Sequence, residues 1–201
     1  MIRKVSRIVV SAVMMFMLLG VTVSAARVKL MDETDRPLTP QPDQALVVFM
    51  RSTMVGSAIS ASLFDVTGDE TKFIGVMYNN TKVCYDVAPG EYIFMVVGES
   101  ADFMKATVEA GKTYYALITP RPGVWKARFS FRPLRQSDLE SSDFSKWDSK
   151  TRLVENTSDS EAWAEENAED IEDKRADNWT AWCELSPETQ AEMTLNLEDG
   201  R

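Results

Sequence analysis

The sequence predicts a mainly β fold, an antiparallel β-sandwich with an α-helical C-terminal extension. Three observations predict it. Between Gln44 and Arg135, short apolar or alternating segments recur, about eight of them. Turn-forming residues separate these segments at roughly 8–12-residue spacing, the pattern of sandwiches and barrels. Beyond Gln136 that texture stops, and from Ser158 the apolar residues recur with a helical period.

The elements follow in order. Residues 1–25 (MIRKVSRIVVSAVMMFMLLGVTVSA) begin with Arg3, Lys4 and Arg7 and continue in an apolar run from Ile8 to about Val23. Val23 and Ala25 are small residues where a signal peptidase needs them, so an export signal cleaved after Ala25 is expected. The run is nearly long enough to span a bilayer, and an uncleaved inner-membrane anchor is the alternative. Residues 26–43 are polar, carry three prolines and read as a linker. Ala45 to Met50 is apolar on both faces, as in a central strand. Ser57–Val66 and Lys72–Tyr78 flank the turn residues Asp65–Asp69, and Asn79-Asn80 makes the next turn. Thr81–Val87 alternates, with Val83, Tyr85 and Val87 on one face and Lys82, Cys84 and Asp86 on the other. Pro89-Gly90 leads into Tyr92–Val97, a second strand apolar on both faces. Phe103–Glu109 and Thr113–Thr119 are expected to form a hairpin around Gly111. The last strand, Trp125–Phe131, sets Ala127, Phe129 and Phe131 against Lys126, Arg128, Ser130 and Arg132. The expected sandwich domain is 44–135, immunoglobulin-like or transthyretin-like.

Residues 136–201 form the expected acidic, partly helical extension. Residues 136–157 read as loop. Ser158 with Glu161 has capping-box spacing, and one helix is expected from there to about Cys183. Ala164, Ala168, Ile171, Trp179 and Trp182 share a stripe on it. Ser186-Pro187 starts a further short turn.

Charge and composition exclude several functions. The net charge of −9 is uneven: residues 26–137 carry 13 basic and 12 acidic side chains, residues 138–201 carry 6 and 19. No basic surface points to nucleic acid. The chain has no histidine. A Ser-His-Asp triad, a Cys-His dyad and a His-bearing zinc site are thereby ruled out. No cysteine follows the apolar run, so a lipid attachment site is absent from it. The two cysteines, Cys84 and Cys183, are expected to form one disulfide in an oxidising compartment.

Pro89-Gly90-Glu91-Tyr92-Ile93-Phe94, followed by Val108-Glu109-Ala110-Gly111-Lys112-Thr113-Tyr114-Tyr115, resembles a bacterial family of exported proteins and lipoproteins of unknown function. The strand Ala45–Arg51 and the Val55-Gly56-Ser57-Ala58 step fit it too. The resemblance covers roughly residues 43–135. Trp163-Ala164-Glu165-Glu166-Asn167 and the closing Glu198-Asp199-Gly200-Arg201 are similar to extensions of some members. It implies a small exported β-sandwich and transfers no catalytic residues.

Candidate chemistry is sparse. Gly111-Lys112-Thr113 lacks the upstream glycine and the helix of a phosphate loop and reads as a turn. Glu165, Glu166, Glu169, Asp170, Glu172 and Asp173 point outward around a helix and read as a solvated face. Met50, Met54, Met77 and Met95 read as core filling rather than a copper site. Trp179 and Trp182 belong to a stripe that needs cover, whereas Trp163 lies off it and is the candidate exposed aromatic. Lys126, Arg128 and Arg132 form a basic strand face onto which the acidic helix is expected to dock. Together these residues make Trp163, Lys126, Arg128 and Arg132 the candidate interaction surface.

The functional expectation is a non-catalytic, periplasmic or extracellular binding or structural module of the bacterial cell envelope. It takes no cofactor or metal, and its partner is an envelope protein or glycan. The alternatives are a carboxylate-dependent hydrolase of envelope polymers and an accessory subunit of an envelope complex.

Overall fold

The structure is a computed structural model and describes residues 29–53, 58–121 and 128–201. The export signal, the Val55–Ser57 step, Met54, Trp125, Lys126 and Ala127 lie outside the described residues. In chain order the strands are β1 (Met31–Glu33), β2 (Ala45–Arg51), β3 (Ala61–Asp65), β4 (Lys72–Met77), β5 (Thr81–Val87), β6 (Gly90–Val97), β7 (Ala101–Val108), β8 (Thr113–Arg121), β9 (Arg128–Pro133), β10 (Arg152–Asn156) and β11 (Thr194–Leu195). The helices are α1 (Gln136–Leu139), α2 (Ser142–Lys150), α3 (Ser158–Glu166), α4 (Ala168–Cys183) and α5 (Pro187–Glu192).

The strands make two sheets, ordered β1-β10-β5-β2-β8-β9 and β11-β7-β6-β3-β4. The sheets are mixed, not antiparallel throughout: β2 with β8, β10 with β5 and β11 with β7 run parallel. The cause is the path of the chain. It changes sheet between β2 and β3, between β4 and β5, between β5 and β6, between β7 and β8, and between β10 and β11. Gly111, at φ 75°, therefore makes a crossing between sheets and closes no hairpin. The true hairpins are β3–β4, β6–β7 and β8–β9.

Side-chain alternation sorts these strands into layers. Ala45, Val47 and Phe49 of β2 meet Leu63, Phe94, Val96 and Met104 of the other sheet in one central core. Leu46, Val48 and Met50 face away, into a second cluster with Leu139 of α1 and Phe144 of α2. Met95, Val97 and Phe103 likewise face outward, beneath Ile171 and Trp182 of α4. Each sheet is thus covered by helices on its outer face, an α–β–β–α stack. Strands apolar on both faces require this, since an uncovered outer face would leave that apolar surface in water.

The flanks contribute more than expected. The segment read as a linker supplies β1, which pairs with β10. The segment read as loop, 136–157, supplies α1, α2 and β10. The single expected helix breaks at Asn167 into α3 and α4. Its start is capped one residue early, by Thr157 with Ser160 in a reciprocal pair of hydrogen bonds. Ser186 caps α5, with Pro187 in its first turn, as the sequence indicates. The chain ends as a strap: Arg201 exchanges two backbone hydrogen bonds with Thr113, at 2.8 and 3.1 Å.

α4 docks, but not where charge pairing placed it. It lies on β7 and β6, not on the basic face of β9. Trp182 Nε1 donates to the Phe103 carbonyl at 3.1 Å, and the Trp179 and Trp182 rings stack beside Phe103. Apolar burial decided the docking face, because exposed ion pairs contribute only about 0–1 kcal/mol each.

Candidate functional site

A groove of about 630 Å³ opens at the corner where the β1–β10 pair meets the β4–β5 turn. Its wall comes from Lys29, Met31 and Glu33 on one side and Tyr78, Asn79 and Thr81 on the other. Arg152 of β10 and Ser60, just before β3, complete it. The volume lies inside the range of about 300–1,000 Å³ usual for ligand sites.

Local structure positions each side chain. Asn80 has φ 58°, a left-handed conformation that asparagine tolerates, and it sets the tight β4–β5 turn. That turn presents Tyr78, which is 37% exposed, and Asn79 at the groove. The Thr53 N–H donates to Asn79 Oδ1 at 3.0 Å and fixes the amide. Thr81 Oγ1 donates to the Tyr78 carbonyl at 2.8 Å. Alternation along β1 turns both Met31 and Glu33 toward the groove. Arg152 pairs with Glu33, and Lys29 pairs with Asp32 at 2.7 Å.

The neighbouring sheet edge is closed. Val76 N–H donates to Met31 Sδ at 3.4 Å, and Asn156 Nδ2 donates to the Ile74 carbonyl at 3.2 Å. Two side chains occupy the groups on β4 that an added strand would need.

The groove holds no evident catalytic set. Among the described residues that line it, Glu33 is the one carboxylate, and its partner is Arg152. Carboxylate-dependent glycoside hydrolysis needs two acids placed across the scissile bond. Among the described residues, no group of three or more His, Cys, Asp or Glu converges as a metal site. Met50, Met77 and Met95 are buried in three separate clusters.

The residues singled out from sequence are scattered. The Cys84–Cys183 disulfide is not formed; both thiols are free. Cys84 packs on the outer face of the first sheet and Cys183 ends the helix on the outer face of the second, so both sheets separate them. Burial pushes the Cys84 thiol up to about 12, and nearby Arg36 opposes this weakly. Trp163 is not an exposed aromatic: it is half-buried against the central core, its ring 6.1 Å from Phe73. Arg128 is exposed. Arg132 pairs with Asp138 at 3.1 Å, with its guanidinium 5.3 Å from the Trp147 ring centroid. None of these residues lines the corner groove.

Sequence reading missed the groove because its parts come from residues 29–33, 58–60, 78–81 and 152–154. The one local signal was Asn79-Asn80, which marks the turn but not what faces it. Comparison with known family models, with curated proteins and with solved structures finds no match.

Proposed function

We propose that this chain is a non-catalytic binding module of the bacterial cell envelope, exported by its N-terminal segment, with the corner groove as its binding site. The observation that carries the reading is the groove's composition. It offers hydroxyl, amide, aromatic and paired charged groups, but a single carboxylate already held by Arg152. Such a surface can hold a ligand, and it lacks the pair of carboxylates that glycoside hydrolysis requires. The likeness of residues 43–135 to exported proteins of unknown function, and the signal-like first 25 residues, support the envelope location. That the two-sheet scaffold is immunoglobulin-like or transthyretin-like in architecture belongs to the same proposal.

The test is to express the full chain in a Gram-negative host. The cells are fractionated, the exported form is weighed by intact-mass spectrometry, and it is incubated with purified sacculi. The expected result is a mass beginning at Ala26, recovery in the periplasmic or envelope fraction, and no release of soluble fragments. Cytoplasmic recovery would overturn the location. Fragment release abolished by Glu33→Gln would favour the hydrolase instead.

A further inference from the structure

We infer that the corner groove takes a neutral, polyhydroxylated oligosaccharide chain. This rests on the binding-module reading above and names the ligand class for that site.

Charge points away from ionic ligands. The two cations at the groove are both matched: Arg152 with Glu33, and Lys29 with Asp32. A polyanion would meet Glu33, and a polycation would meet Arg152. The side chains of both pairs are more than half exposed, so they remain able to bond a ligand. Hydroxyl groups both donate and accept, and the groove matches that dual character. Arg152 offers a donor fork and Glu33 accepts. The Thr81 hydroxyl has committed its proton to the Tyr78 carbonyl, which leaves its oxygen as an acceptor. Asn79 has committed its oxygen to the Thr53 N–H, which makes Nδ2 its donor side. Ser60 can do either. Tyr78 adds a partly exposed ring, and an aromatic ring packs well on the apolar C–H face of a sugar.

The backbone at the β4 edge disfavours an added peptide strand there. A peptide chain gains most from adding to a sheet edge. The β4 edge at the groove is already occupied by Met31 and Asn156 side chains. A ligand over that edge is therefore read by side chains.

The experiment is calorimetric titration of the exported full-length protein with two neutral probes, a β-1,4-linked N-acetylglucosamine tetramer and a β-1,4-linked glucose tetramer. Dextran sulfate serves as the polyanion. The first two distinguish an amino-sugar polymer from a plain glucan. At least one tetramer should bind saturably, with little change between low and high salt. Tyr78→Ala and Arg152→Ala should each weaken it roughly tenfold or more, about 1.4 kcal/mol per decade. Arg152 is largely exposed, so that variant keeps its fold, which a thermal melt verifies. The inference is overturned if neither tetramer binds, if both variants bind as the wild type does, or if dextran sulfate displaces the tetramer with a steep salt dependence. Failure of both tetramers, with envelope recovery and no turnover, removes the ligand class and leaves the module reading standing. Cleavage of a tetramer that Glu33→Gln abolishes removes the module reading itself.

Discussion

Arg51 is fully buried at the end of β2, where a charge must be matched. Its Nη1 donates to the carbonyls of Ile59 at 2.6 Å and Met77 at 3.2 Å, and its guanidinium lies 4.5 Å from the Phe129 ring centroid. Burial still lowers it to about 10. Cys84 shows the opposite case, a thiol kept neutral by the cover of α2. Two free thiols should therefore titrate in unfolded, non-reduced protein. In the folded protein, alkylation at pH 8 should modify exposed Cys183 quickly and Cys84 only as the fold opens. Mass-resolved labelling kinetics decides this, and a missing pair of thiols would restore the disulfide. Alkaline pH gives a second residue-scale expectation. Burial raises the Cys84 thiol and the Tyr85, Tyr92, Tyr114 and Tyr115 hydroxyls above their ordinary values. These groups ionise in the unfolded chain first, so their contribution is fully present below about pH 9 and is lost as pH rises from there. Each can remove at most about 1.4 kcal/mol per pH unit. Arg51, lowered to about 10, starts to lose its proton in the folded state near pH 10 and acts there with the opposite sign, so the step from pH 8 to 9 belongs most cleanly to the thiol and the tyrosines. Urea midpoints at pH 8, 9 and 10 should fall in that order.

At the scale of elements, two of the attachments that hold the extension to the sheets can be tested separately. The first is α4, fixed by Ile171 and Trp182 in the cluster around Phe103. Trp182→Ala should cost about 3–5 kcal/mol, as for other buried large-to-small changes. It should also speed hydrogen exchange across residues 168–183. Arg128→Ala, on an exposed side chain, should stay within about 0.5 kcal/mol. Equal effects of the two substitutions would mean that charge, not packing, seats the helix. The second attachment is the C-terminal strap. Buried Asp199 pairs with Arg135 Nη1 at 2.7 Å, and Arg135 also donates to the carbonyls of Thr194, Ala191 and Glu192. Arg201 donates to the Tyr115 hydroxyl and lies over the Tyr115 and Phe144 rings. At Gly200 a Cβ would lie 2.6 Å from Tyr114 Cζ and 2.8 Å from Cε1. Gly200→Ala should then cost about 1–3 kcal/mol through overpacking. Its loss of protection in hydrogen exchange should be confined to the strap and α5, and unchanged exchange there would show that Tyr114 yields freely.

On the scale of the whole molecule, the acidic extension is part of the folded unit. It covers Leu46, Val48 and Met50 on one sheet and Met95, Val97 and Phe103 on the other. It also supplies a strand to each sheet, β10 between β1 and β5 in one and β11 at the edge of the other. Each large apolar side chain returned to water costs about 1.5–3 kcal/mol, and a domain is stable by only about 5–15 kcal/mol. A chain ending at Arg135 should therefore fail to give a soluble, dispersed NMR spectrum and should bind a hydrophobic dye. A well-dispersed spectrum from residues 26–135 would show that the two-sheet core is self-sufficient. Among the described residues, charge joins the parts locally, through Lys82 with Asp148, Arg132 with Asp138, Arg135 with Asp199 and Arg152 with Glu33. The outward acids of α3 and α4, such as Glu165, Glu169 and Asp173, stay in solvent.

The sequence by itself determined the strands between Ala45 and Pro133. Hydrophobic period is a local signal, and Thr81–Val87, the double-sided burial of Ala45–Met50, the Asn80 turn and the Ser186 cap all follow from neighbours within a few residues. The stripe of Ile171, Trp179 and Trp182 likewise shows that the helix must be covered. Only the tertiary structure decided what covers it. Sheet membership depends on where the chain crosses at Gly111 and beside Pro89-Gly90, and a turn residue does not distinguish a hairpin from a crossing. Residues 136–157 hide two helices and a strand because their order comes from contacts with the sheets rather than from a strong period of their own. The pairing of Cys84 with Cys183 failed for the same reason, since the two positions are apart in space on opposite outer faces. The corner groove was illegible because four distant segments build it, and no local pattern encodes their meeting. What one residue does to its near neighbours is written along the chain; which distant faces meet is settled only when apolar burial over the whole molecule is satisfied at once.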